Sequence, residues 1–558
     1  MVLKKYRTMV IPILRKKLDL TGRINRDLEV LKTKPVIYVY YSKTHLYIGQ
    51  TIGFIKRHND HSSEKEFMSH RFDGVVILFG EYVDLNALSD LEGQLISYLQ
   101  ADNEKTYHPN RRIVMNGKRG NRVVDYSKRD EVLSEVLIPF WENELKELGL
   151  VYEINLNKLR ERLLFKYSPF TFLSEEQREV INDILEENSN YLIQGCAGTG
   201  KTVVLTNLVA RLCEKYKKGY TIGVVVKRNW IRSIKNIFRS YAIKDNVIIG
   251  TPYQIIKNNF VKKFDIVIVD ESHRLRWKYP KQMHTTTDIF KNKPLYQNEL
   301  YLLGKKAKRM VLLYDDLQMI KPADISREDF KKYTDKHNFK KTELSVQFRI
   351  QIHDPDATYT ADDYVNGIKS FLQLEEKPYD KRVFGNKSLD AYFGEVNSLE
   401  ELFQYTNTCK QYEPSTQNRV LAGCSRPWIS KNKRPRKEYD WEEGENRWYW
   451  NKTYENWLNI KESENEIGCI HAIQGIDLDY AGVFIGKDLA FRDGKVVGIK
   501  ENYYDKYGIP VEKNYDPEEL TYYIKRIYYV LLTRGINGIR IYIEDEALRK
   551  HFMQCTTP

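Results

Sequence analysis

YLIQGCAGTGKTVVLTNLVARL, residues 191–212, is the stretch that decides the fold of this chain. Its centre, GCAGTGKT, matches the phosphate-binding pattern G-x-x-x-x-G-K-[ST] and lies between a strand-like and a helix-like segment, as that loop requires. Lys201 is expected to reach the β- and γ-phosphates of ATP, and Thr202 to bind Mg²⁺. The glycines expected to let backbone N–H groups wrap the phosphates are Gly195, Gly198 and Gly200.

A pair of acidic residues follows a later apolar strand. The segment FDIVIVDESH, residues 264–273, places Asp270 and Glu271 where a strand ends. The carboxyl ends of parallel strands carry the chemistry of such folds, so we expect Asp270 to hold Mg²⁺ and Glu271 to deprotonate the attacking water. Alone, the pair would more often be a solvated turn, but the glycine-rich loop favours the functional interpretation.

Short apolar strands alternate with helical segments along most of the chain, which predicts an α/β fold with parallel sheets. YLIQG, TIGVVVK, FDIVIVD and RMVLLYDD belong to one such sheet, and RVLAG, GCIHAIQG, YAGVFIG and IRIYIE to a second. The predicted segments are a basic, helix-like N-terminal extension (1–30), a small domain (31–125), a helical connector (126–170), and two parallel-sheet domains (171–335 and 336–558), the second with an insertion around 351–460.

The composition fits a globular protein with a polyanionic partner. The 558 residues include 89 Lys and Arg against 76 Asp and Glu, a formal charge of +13. Residues 1–60 alone hold 13 basic and 4 acidic residues, so the front of the chain suits an approach to nucleic acid. The apolar runs are too short for a membrane span, and six scattered cysteines without a CxxC pair suggest free thiols. We therefore expect a cytoplasmic protein without a membrane partner.

Further motifs in order along residues 171–545 resemble superfamily 1 helicases, and most of all the bacterial group related to the Schlafen helicase core. The resemblance implies two RecA-like domains that bind ATP and Mg²⁺ and move along a nucleic-acid strand. It assigns Gln177 to adenine recognition and Gln318 to sensing the γ-phosphate. The other matching residues are Gln347 and Arg349 in VQFR, His471, Gln474, Gly475 and Asp479 in the fifth motif, and Thr533, Arg534 and Gly535 in the sixth.

Two of these residues are candidates for arginine fingers. Positive charge brought by Arg349 and Arg534 onto the transferring phosphoryl group would stabilise the transition state and link hydrolysis to domain closure. An isolated arginine after a strand would more often form a surface salt bridge. The ordered motifs favour the catalytic interpretation.

VIYVYYSKTHLYIGQTIGFIKRHNDH, residues 36–61, predicts a β-hairpin followed by a helix and resembles the signature of GIY-YIG endonucleases. Val36 replaces the first glycine, which removes no catalytic group. The resemblance implies a small α/β domain with a short, mostly antiparallel sheet and a metal-dependent nuclease site that uses Mg²⁺ or alternatively Mn²⁺. Its residues are Tyr38 as general base, Tyr47 and His61 to orient or share the proton, Arg57 to neutralise the transition state, Glu92 to bind the metal, and Asn116 to close the site.

Other interpretations of this segment stay open. A tyrosine-rich hairpin packs well in any sheet, a lone glutamate usually faces water, and a degenerate domain could bind DNA without cutting it. Downstream, five tryptophans accompany the basic run KNKRPRK, residues 431–437, and these aromatic side chains could stack on bases or fill a core. The tryptophans are Trp428, Trp441, Trp448, Trp450 and Trp457.

Three functions compete. The first is a helicase or translocase coupled to an endonuclease, resembling prokaryotic proteins that act against foreign nucleic acid. The second is a repair motor whose N-terminal domain targets branched DNA, and the third an ATP-gated binding switch that does not translocate. The expected partner is single-stranded or forked DNA, RNA stays open, and an oligomer or defence-system partner proteins are further candidates.

Overall fold

The computed structural model describes most of the chain. The described residues are 5–64, 69–105, 107–116, 126–160, 162–216, 219–243, 246–277, 289–290, 298–353, 357–385, 391–414, 416–431, 438–454, 457–473, 476–505, 508–509 and 516–557. The chain divides into two compact units. The first consists of Met1–Asn188, Thr202–Ile222 and Arg232–Val247, and the second of Ser189–Lys201, Gly223–Ile231 and Ile248–Pro558.

The first unit contains a six-stranded sheet in the order β2-β1-β5-β3-β4-β6. Its neighbours pair antiparallel, except that β4 and β6 are parallel. The strands are β1 (Arg7–Leu14), β2 (Lys17–Leu18), β3 (Val36–Tyr41), β4 (His45–Thr51), β5 (Gly74–Phe79) and β6 (Ile113–Val114). The small domain is therefore α/β with a mostly antiparallel sheet.

The helix-like N-terminal extension predicted for residues 1–30 is wrong. Residues 7–14 form β1, which pairs with β5 from Arg7↔Phe79 to Pro12↔Gly74. Met9 and Ile11 are buried while Val10 is exposed, which is the period of two of a strand with one covered face. The alternation of buried and exposed residues in β1 is short and is surrounded by basic residues, so it does not stand out in the sequence.

The first unit also contains the helices that lie between the strands of this sheet and those that follow it in sequence. Short helical pieces occupy much of residues 126–170. The helices lying wholly or mostly in this unit are α1 (Asn25–Thr33), α2 (Phe54–Ser63), α3 (Leu88–Asp102), α4 (Arg129–Val132), α5 (Leu156–Arg160), α6 (Leu163–Lys166), α7 (Glu175–Glu186), α8 (Lys201–Lys215) and α9 (Ile231–Ser240), with π-helical turns at Leu133–Leu137 and Phe140–Leu145.

The second unit holds two further sheets, one of six strands and one of seven. The first has the order β12-β7-β11-β10-β8-β9, and the recorded pairings of β12, β7, β11 and β10 are parallel. Its strands are β7 (Tyr191–Gly195), β8 (Ile222–Val225), β9 (Val247–Gly250), β10 (Phe264–Val269), β11 (Ala307–Tyr314) and β12 (Lys340–Leu344). Because these strands are parallel, their carboxyl ends meet at one edge, and the residues after β7, β10 and β11 come together there.

The second sheet has the order β13-β21-β18-β14-β17-β16-β15, parallel except for β15. Its strands are β13 (Phe393–Glu395), β14 (Asn418–Ala422), β15 (Trp441–Glu443), β16 (Asn446–Trp450), β17 (Glu466–Cys469), β18 (Leu478–Ile485) and β21 (Gly535–Ile543). A hairpin of β19 (Leu489–Arg492) and β20 (Lys495–Gly498) stands apart from it. The insertion predicted around 351–460 is wrong in extent, because β13 to β16 lie in that range and are strands of the sheet itself.

The tryptophans belong to the hydrophobic core of the second unit. Trp441, Trp448, Trp450 and Trp457 are at most 9% exposed, and Trp428 packs against the same core. Core filling is therefore the correct interpretation for the four buried rings. Residues 432–437 of the basic run lie outside the described residues. The helices of this unit are α10 (Pro252–Ile256), α11 (Glu299–Lys306), α12 (Arg327–Lys336), α13 (Ala361–Phe371), α14 (Leu399–Tyr412), α15 (Ile470–Ile473), α16 (Pro517–Leu532) and α17 (Glu546–Thr556).

All six cysteines are free. Among the helices in the described ranges, none combines the length and the apolar character needed to cross a lipid bilayer.

A buried carboxyl group makes stability depend on pH. Asp488 is fully buried, accepts a 2.5 Å hydrogen bond from the Tyr528 hydroxyl, and burial raises its pKa from 3.8 to about 7. The folded state therefore holds this proton more tightly than the unfolded state, and its contribution to stability is lost as the pH rises from about 4 through about 7. Asp488→Asn, which resembles the neutral form, is expected to gain on the order of 2 kcal/mol over wild type at pH 8 and little at pH 4.

Denaturant unfolding of both proteins at the two pH values measures this gain. The matched control is Asp545→Asn, because Arg492 outweighs burial and holds the pKa of the Asp545 carboxyl below its usual value. That variant should gain nothing at pH 8. Equal gains for both variants would contradict the assignment to Asp488.

Candidate functional site

The glycine-rich loop follows β7 and ends where α8 begins. The Lys201 ammonium lies over this loop and donates to the carbonyls of Gly195 at 2.6 Å and Cys196 at 2.9 Å. Its Nζ is also 3.6 Å from Oδ2 of Asp315, and only 8% of the side chain is exposed. The loop thus holds a buried cation among acceptors that an anionic phosphate could replace.

Gly198 brings the loop against the segment that contains Gln347 and Arg349. Its φ is +92°, and a Cβ at this position would lie 2.8 Å from both the Arg349 Cβ and the Gln347 Oε1. The Phe348 amide donates to the Gly198 carbonyl at 2.9 Å. Only glycine suits this backbone and this approach. Gly195 and Gly200 lie in the same loop, and Thr202 is the second residue of α8.

Asp270 and Glu271 lie directly after β10, at the carboxyl edge of the first sheet. The Glu271 amide donates to Oδ1 of Asp270 at 3.0 Å, and Glu271 itself has a left-handed backbone with φ +51°. Such a conformation is costly for a residue with a side chain and is found most often at functional positions. Burial, together with the charge of Glu271, raises the pKa of Asp270 to about 7.

Glu271 has two partners that the sequence analysis did not identify. Nδ1 of His273 accepts from the Asp315 amide at 3.2 Å, so the ring proton is on Nε2, which lies 2.9 Å from Oε2 of Glu271. Nζ of Lys227 is 3.7 Å from the same oxygen. Burial would raise the pKa of Glu271, but Lys227 and His273 outweigh it and hold the pKa well below its usual value. Glu271 is thus ionised and oriented.

Gln318 and the two arginines come together across the two sheets of the second unit. Gln318 donates to Oδ2 of Asp315 at 2.7 Å, and Nη2 of Arg534 lies 3.5 Å from Oε1 of Gln318. Both arginines face one carboxylate, because Oδ1 of Asp477 is 2.7 Å from Nε of Arg349 and 3.9 Å from Nη1 of Arg534. Asp477 escaped the sequence analysis, although it lies in the GCIHAIQGIDLDY stretch.

The remaining helicase-motif residues have local roles in the structure. Gln177, in the first unit, forms a capping box with Ser174 at the start of α7. His471 Nε2 lies 2.9 Å from Oδ2 of Asp505, and Thr533 donates to the Tyr529 carbonyl at 2.9 Å. Asp479 accepts from the Gln417 amide, and Gly535 begins β21. Gln474 and Gly475 lie outside the described residues.

The structure brings Tyr38, Arg57 and His61 together in the small domain. The Tyr38 hydroxyl is 3.2 Å from Nε2 of His61, and Nε of Arg57 donates to that hydroxyl at 3.4 Å. The Tyr47 ring lies 5.2 Å from the His61 ring, measured between centroids. Burial raises the pKa of Tyr38, whereas burial and then Arg57 lower the pKa of His61 to about 4. A neutral phenol therefore faces a neutral imidazole.

Gly49 makes room for this cluster. Tyr38 and Gly49 are directly opposite each other on β3 and β4, and a Cβ on Gly49 would lie 2.3 Å from both Cζ and the hydroxyl of Tyr38. The final glycine of the YIG tripeptide is therefore required by the tyrosine of the first tripeptide. A purely local analysis of the two strands does not show this dependence.

Glu92 and Asn116 flank the same hairpin. Oε2 of Glu92 accepts from Nε2 of Gln50 at 2.9 Å. The Asn116 carboxamide pairs with both backbone groups of Ile48, accepting from the amide at 2.8 Å and donating to the carbonyl at 2.6 Å. Asn116 thus supports β4 through its backbone, which is a positioning contact.

His273 provides a direct test of how Glu271 is oriented. His273→Ala is expected to lower the kcat of ATP hydrolysis by roughly 10- to 100-fold, because the carboxylate loses the imidazole N–H that lies against it and fixes its direction. His273→Gln retains an N–H donor and should recover most of the rate. Steady-state kinetics with the KM for ATP measured alongside, and melting curves of both variants, check this. Equal kcat values for Ala and Gln would contradict a positioning role.

Comparisons with known proteins agree with the motor site. The model of the family described as "Schlafen group 3, DNA/RNA helicase domain" matches residues 188–545. An uncharacterized protein of Saccharomyces cerevisiae, YPL245W, is 26% identical over 452 residues, which cover 74% of this chain and 92% of the yeast protein.

Solved structures that align with the chain include the Pif1 helicase from Candida albicans, at 13% identity with a TM-score of 0.29, covering 69% of this chain and 99% of that one. A hypothetical ATP-dependent RNA helicase from Sulfolobus tokodaii aligns at 14% identity with a TM-score of 0.22, covering 70% and 98%. At these scores neither structure contributes to the assignment. The family match does contribute, because it spans well over half of the residues: this chain belongs to the Schlafen group 3 DNA/RNA helicase domain family.

Proposed function

We propose that this protein is an ATP-driven helicase or translocase coupled to a metal-dependent endonuclease in its N-terminal domain. The observation that carries the motor is the convergence of Lys201, Gln318 and two arginines from different sheets around Asp315 and Asp477. Such an arrangement lets hydrolysis respond to the closing of one sheet domain on the other.

In the motor, each residue has a definable task. Lys201 binds the β- and γ-phosphates of the ATP substrate, and Glu271 accepts a proton from the attacking water while His273 keeps its carboxylate in place. Gln318 contacts both Asp315 and Arg534. A change at Gln318 on binding of the γ-phosphate can therefore be transmitted to Arg534, which precedes a strand of the second sheet. Arg349 and Arg534 stabilise the charge on the transferring phosphoryl group. Gln177, Gln474 and Gly475 stay predicted nucleotide contacts.

In the nuclease domain, the geometry favours a relay over a free phenolate base. Tyr38 has a raised pKa and keeps its proton, so it accepts the proton of the water only as it passes its own to Nε2 of His61, 3.2 Å away. Arg57 neutralises the charge on the phosphate. Tyr47 packs against His61 and limits its movement.

Magnesium suits the donor set at both sites. In the motor, Asp270 is a buried carboxyl group whose pKa is raised by burial and by neighbouring Glu271. Its negative charge is therefore unfavourable, and a bound divalent cation would stabilise it. In the nuclease domain, the carboxylate of Glu92 is the candidate ligand, with Mn²⁺ as an alternative. The bound ion supplies charge neutralisation at the phosphate oxygens. Thr202 stays a predicted ligand.

DNA with a single-stranded or forked region is the proposed substrate, and action against foreign nucleic acid the proposed role. The basic front of the chain and the pairing of a motor with a cutter support both. A repair motor with a targeting domain, or an ATP-gated switch, would share the motor site but not the chemistry of the cluster around Tyr38.

The test uses the full chain with single-stranded, duplex and forked DNA and Mg²⁺, with and without ATP, scoring strand separation and cleavage separately. Separation together with cleavage supports the proposal. Separation without cleavage of any substrate would support the targeting domain, and ATP-dependent binding with neither activity would support the switch.

A further inference from the structure

A cavity of the N-terminal domain lies beside the Tyr38 cluster. Its volume is about 320 Å³, at the lower end of the range for pockets that hold small ligands. The buried floor includes Tyr40 and Phe72, whose ring centroids are 5.4 Å apart, and the Tyr40 ring lies 5.5 Å from that of Tyr38. Tyr40 is fully buried and Phe72 is 8% exposed, so Phe72 provides the accessible aromatic surface on which a base or a sugar can pack.

Basic side chains surround the opening of the cavity. Arg15, Lys16 and Arg71 line it together with one acidic residue, Asp73, which leaves a net charge of +2. Within the described part of the chain, none of the three cationic groups has a hydrogen bond or ion pair to protein. A ligand that complements this wall carries negative charge.

The polypeptide adopts unfavourable backbone conformations at these three positions. Arg15, Lys16 and Arg71 have φ values of +48°, +70° and +45°, in the left-handed region that favours glycine and asparagine. Arg15 and Lys16 form the two-residue turn between β1 and β2, a turn for which Asn-Gly is the preferred sequence. Folding alone does not explain basic residues at all three places, whereas a binding role does.

His58 supplies a buried polar group at the same cavity. It is 4% exposed, and its Nδ1 lies 2.8 Å from the Tyr40 hydroxyl. When the Tyr40 hydroxyl donates to Nδ1, the ring proton of His58 is on Nε2. Nε2 has no hydrogen-bond partner within the described residues, and the Lys16 backbone is the polar group beside it.

We propose that this cavity binds a phosphate monoester carried by a nucleotide unit, either at the end of a nucleic-acid strand or on a free mononucleotide. Arg15, Lys16 and Arg71 hold the phosphate, His58 donates to it, and Phe72, supported by the buried Tyr40 ring, packs against the nucleoside. Because the cavity lies next to the Tyr38 cluster, binding of a strand end there would determine where the nucleic-acid strand is cut. That last consequence rests on the proposed nuclease function, but the binding does not.

The test measures binding in full-length protein carrying Glu92→Gln, so that cleavage cannot consume the probe. Fluorescence anisotropy compares one short, internally labelled single strand bearing a 5′-phosphate, a 3′-phosphate or hydroxyl ends. A terminal phosphate at one end is expected to strengthen binding roughly tenfold over the hydroxyl form. Unlabelled AMP and inorganic phosphate compete in separate arms, and competition by AMP as strong as by the phosphorylated strand would identify the free nucleotide as the source.

The decisive variant is Arg15→Asn combined with Lys16→Gly. It installs the preferred turn sequence, so its melting temperature should equal or exceed that of the parent while the gain from the phosphate disappears. Lys17→Gln removes a charge from the same hairpin outside the cavity and should keep the gain. The proposal is overturned if the end phosphate adds nothing in the parent, or if Lys17→Gln and the turn variant lose affinity equally. Wild-type protein that binds end phosphates without cutting would refute the nuclease function alone.

Discussion

Glu271→Gln is expected to lower the kcat of ATP hydrolysis by roughly 10³-fold and to leave the affinity for ATP nearly unchanged. A well-placed general base contributes about 10²- to 10⁴-fold, and the amide cannot accept the proton of the attacking water. Glu271 is suited to this task because Lys227 and His273 keep it ionised and directed, even though only 17% of its side chain is exposed. Steady-state turnover with and without single-stranded DNA, together with equilibrium binding of a nucleotide analogue, measures the two effects.

A matched control lies in β10, the strand that precedes Glu271. Asp265 is at the opposite end of β10, paired with Lys308 at 2.6 Å, and Asp265→Asn should turn over at close to the wild-type rate. If Glu271→Gln retains more than about a tenth of normal turnover, another group must accept the proton.

Glu92→Gln is expected to reduce metal-dependent cleavage by at least roughly 10²- to 10³-fold while leaving ATP hydrolysis intact. The amide keeps the shape that Gln50 contacts but loses the charge that would hold Mg²⁺. Gel analysis of cleaved forked DNA across a range of Mg²⁺ and Mn²⁺ concentrations measures the loss. Glu81→Gln removes an exposed carboxylate of the same unit and serves as the control.

Undiminished cleavage by Glu92→Gln would exclude Glu92 as the metal ligand. Loss of cleavage in Glu81→Gln as well would point to a general effect of charge on DNA binding.

The parts of the site that could be predicted from sequence are those encoded in short contiguous stretches. The glycine-rich loop and the Asp270-Glu271 pair are recognisable in the sequence, because at a turn or a strand end residues that are adjacent in sequence are also adjacent in the site. His273 could not be assigned in this way, since its tautomer is set by the amide of Asp315, which comes from a different strand. Asp477 faces Arg349 only after the chain between them has folded into a sheet.

The fold shows the same division. The apolar strands of the parallel sheets are recognisable because they are buried on both faces and read as continuous hydrophobic runs. β1 was missed because its alternation is short and surrounded by basic residues, and it finds its partner β5 some sixty residues later. The sequence could not show whether the tryptophans fill a core or form an exposed surface that stacks on bases, since the amino-acid composition is the same in both cases.

The sharing of Asp477 by two arginines has an electrical consequence. The Asp477 carboxylate carries a single negative charge. Its Oδ1 lies 2.7 Å from Nε of Arg349 but 3.9 Å from Nη1 of Arg534, so it neutralises mainly the charge of Arg349. Arg534 therefore keeps the larger share of uncompensated charge, and it is the arginine that touches Gln318. Asp477 therefore neutralises mainly Arg349, whereas Arg534 retains more positive charge with which to bind a negatively charged group.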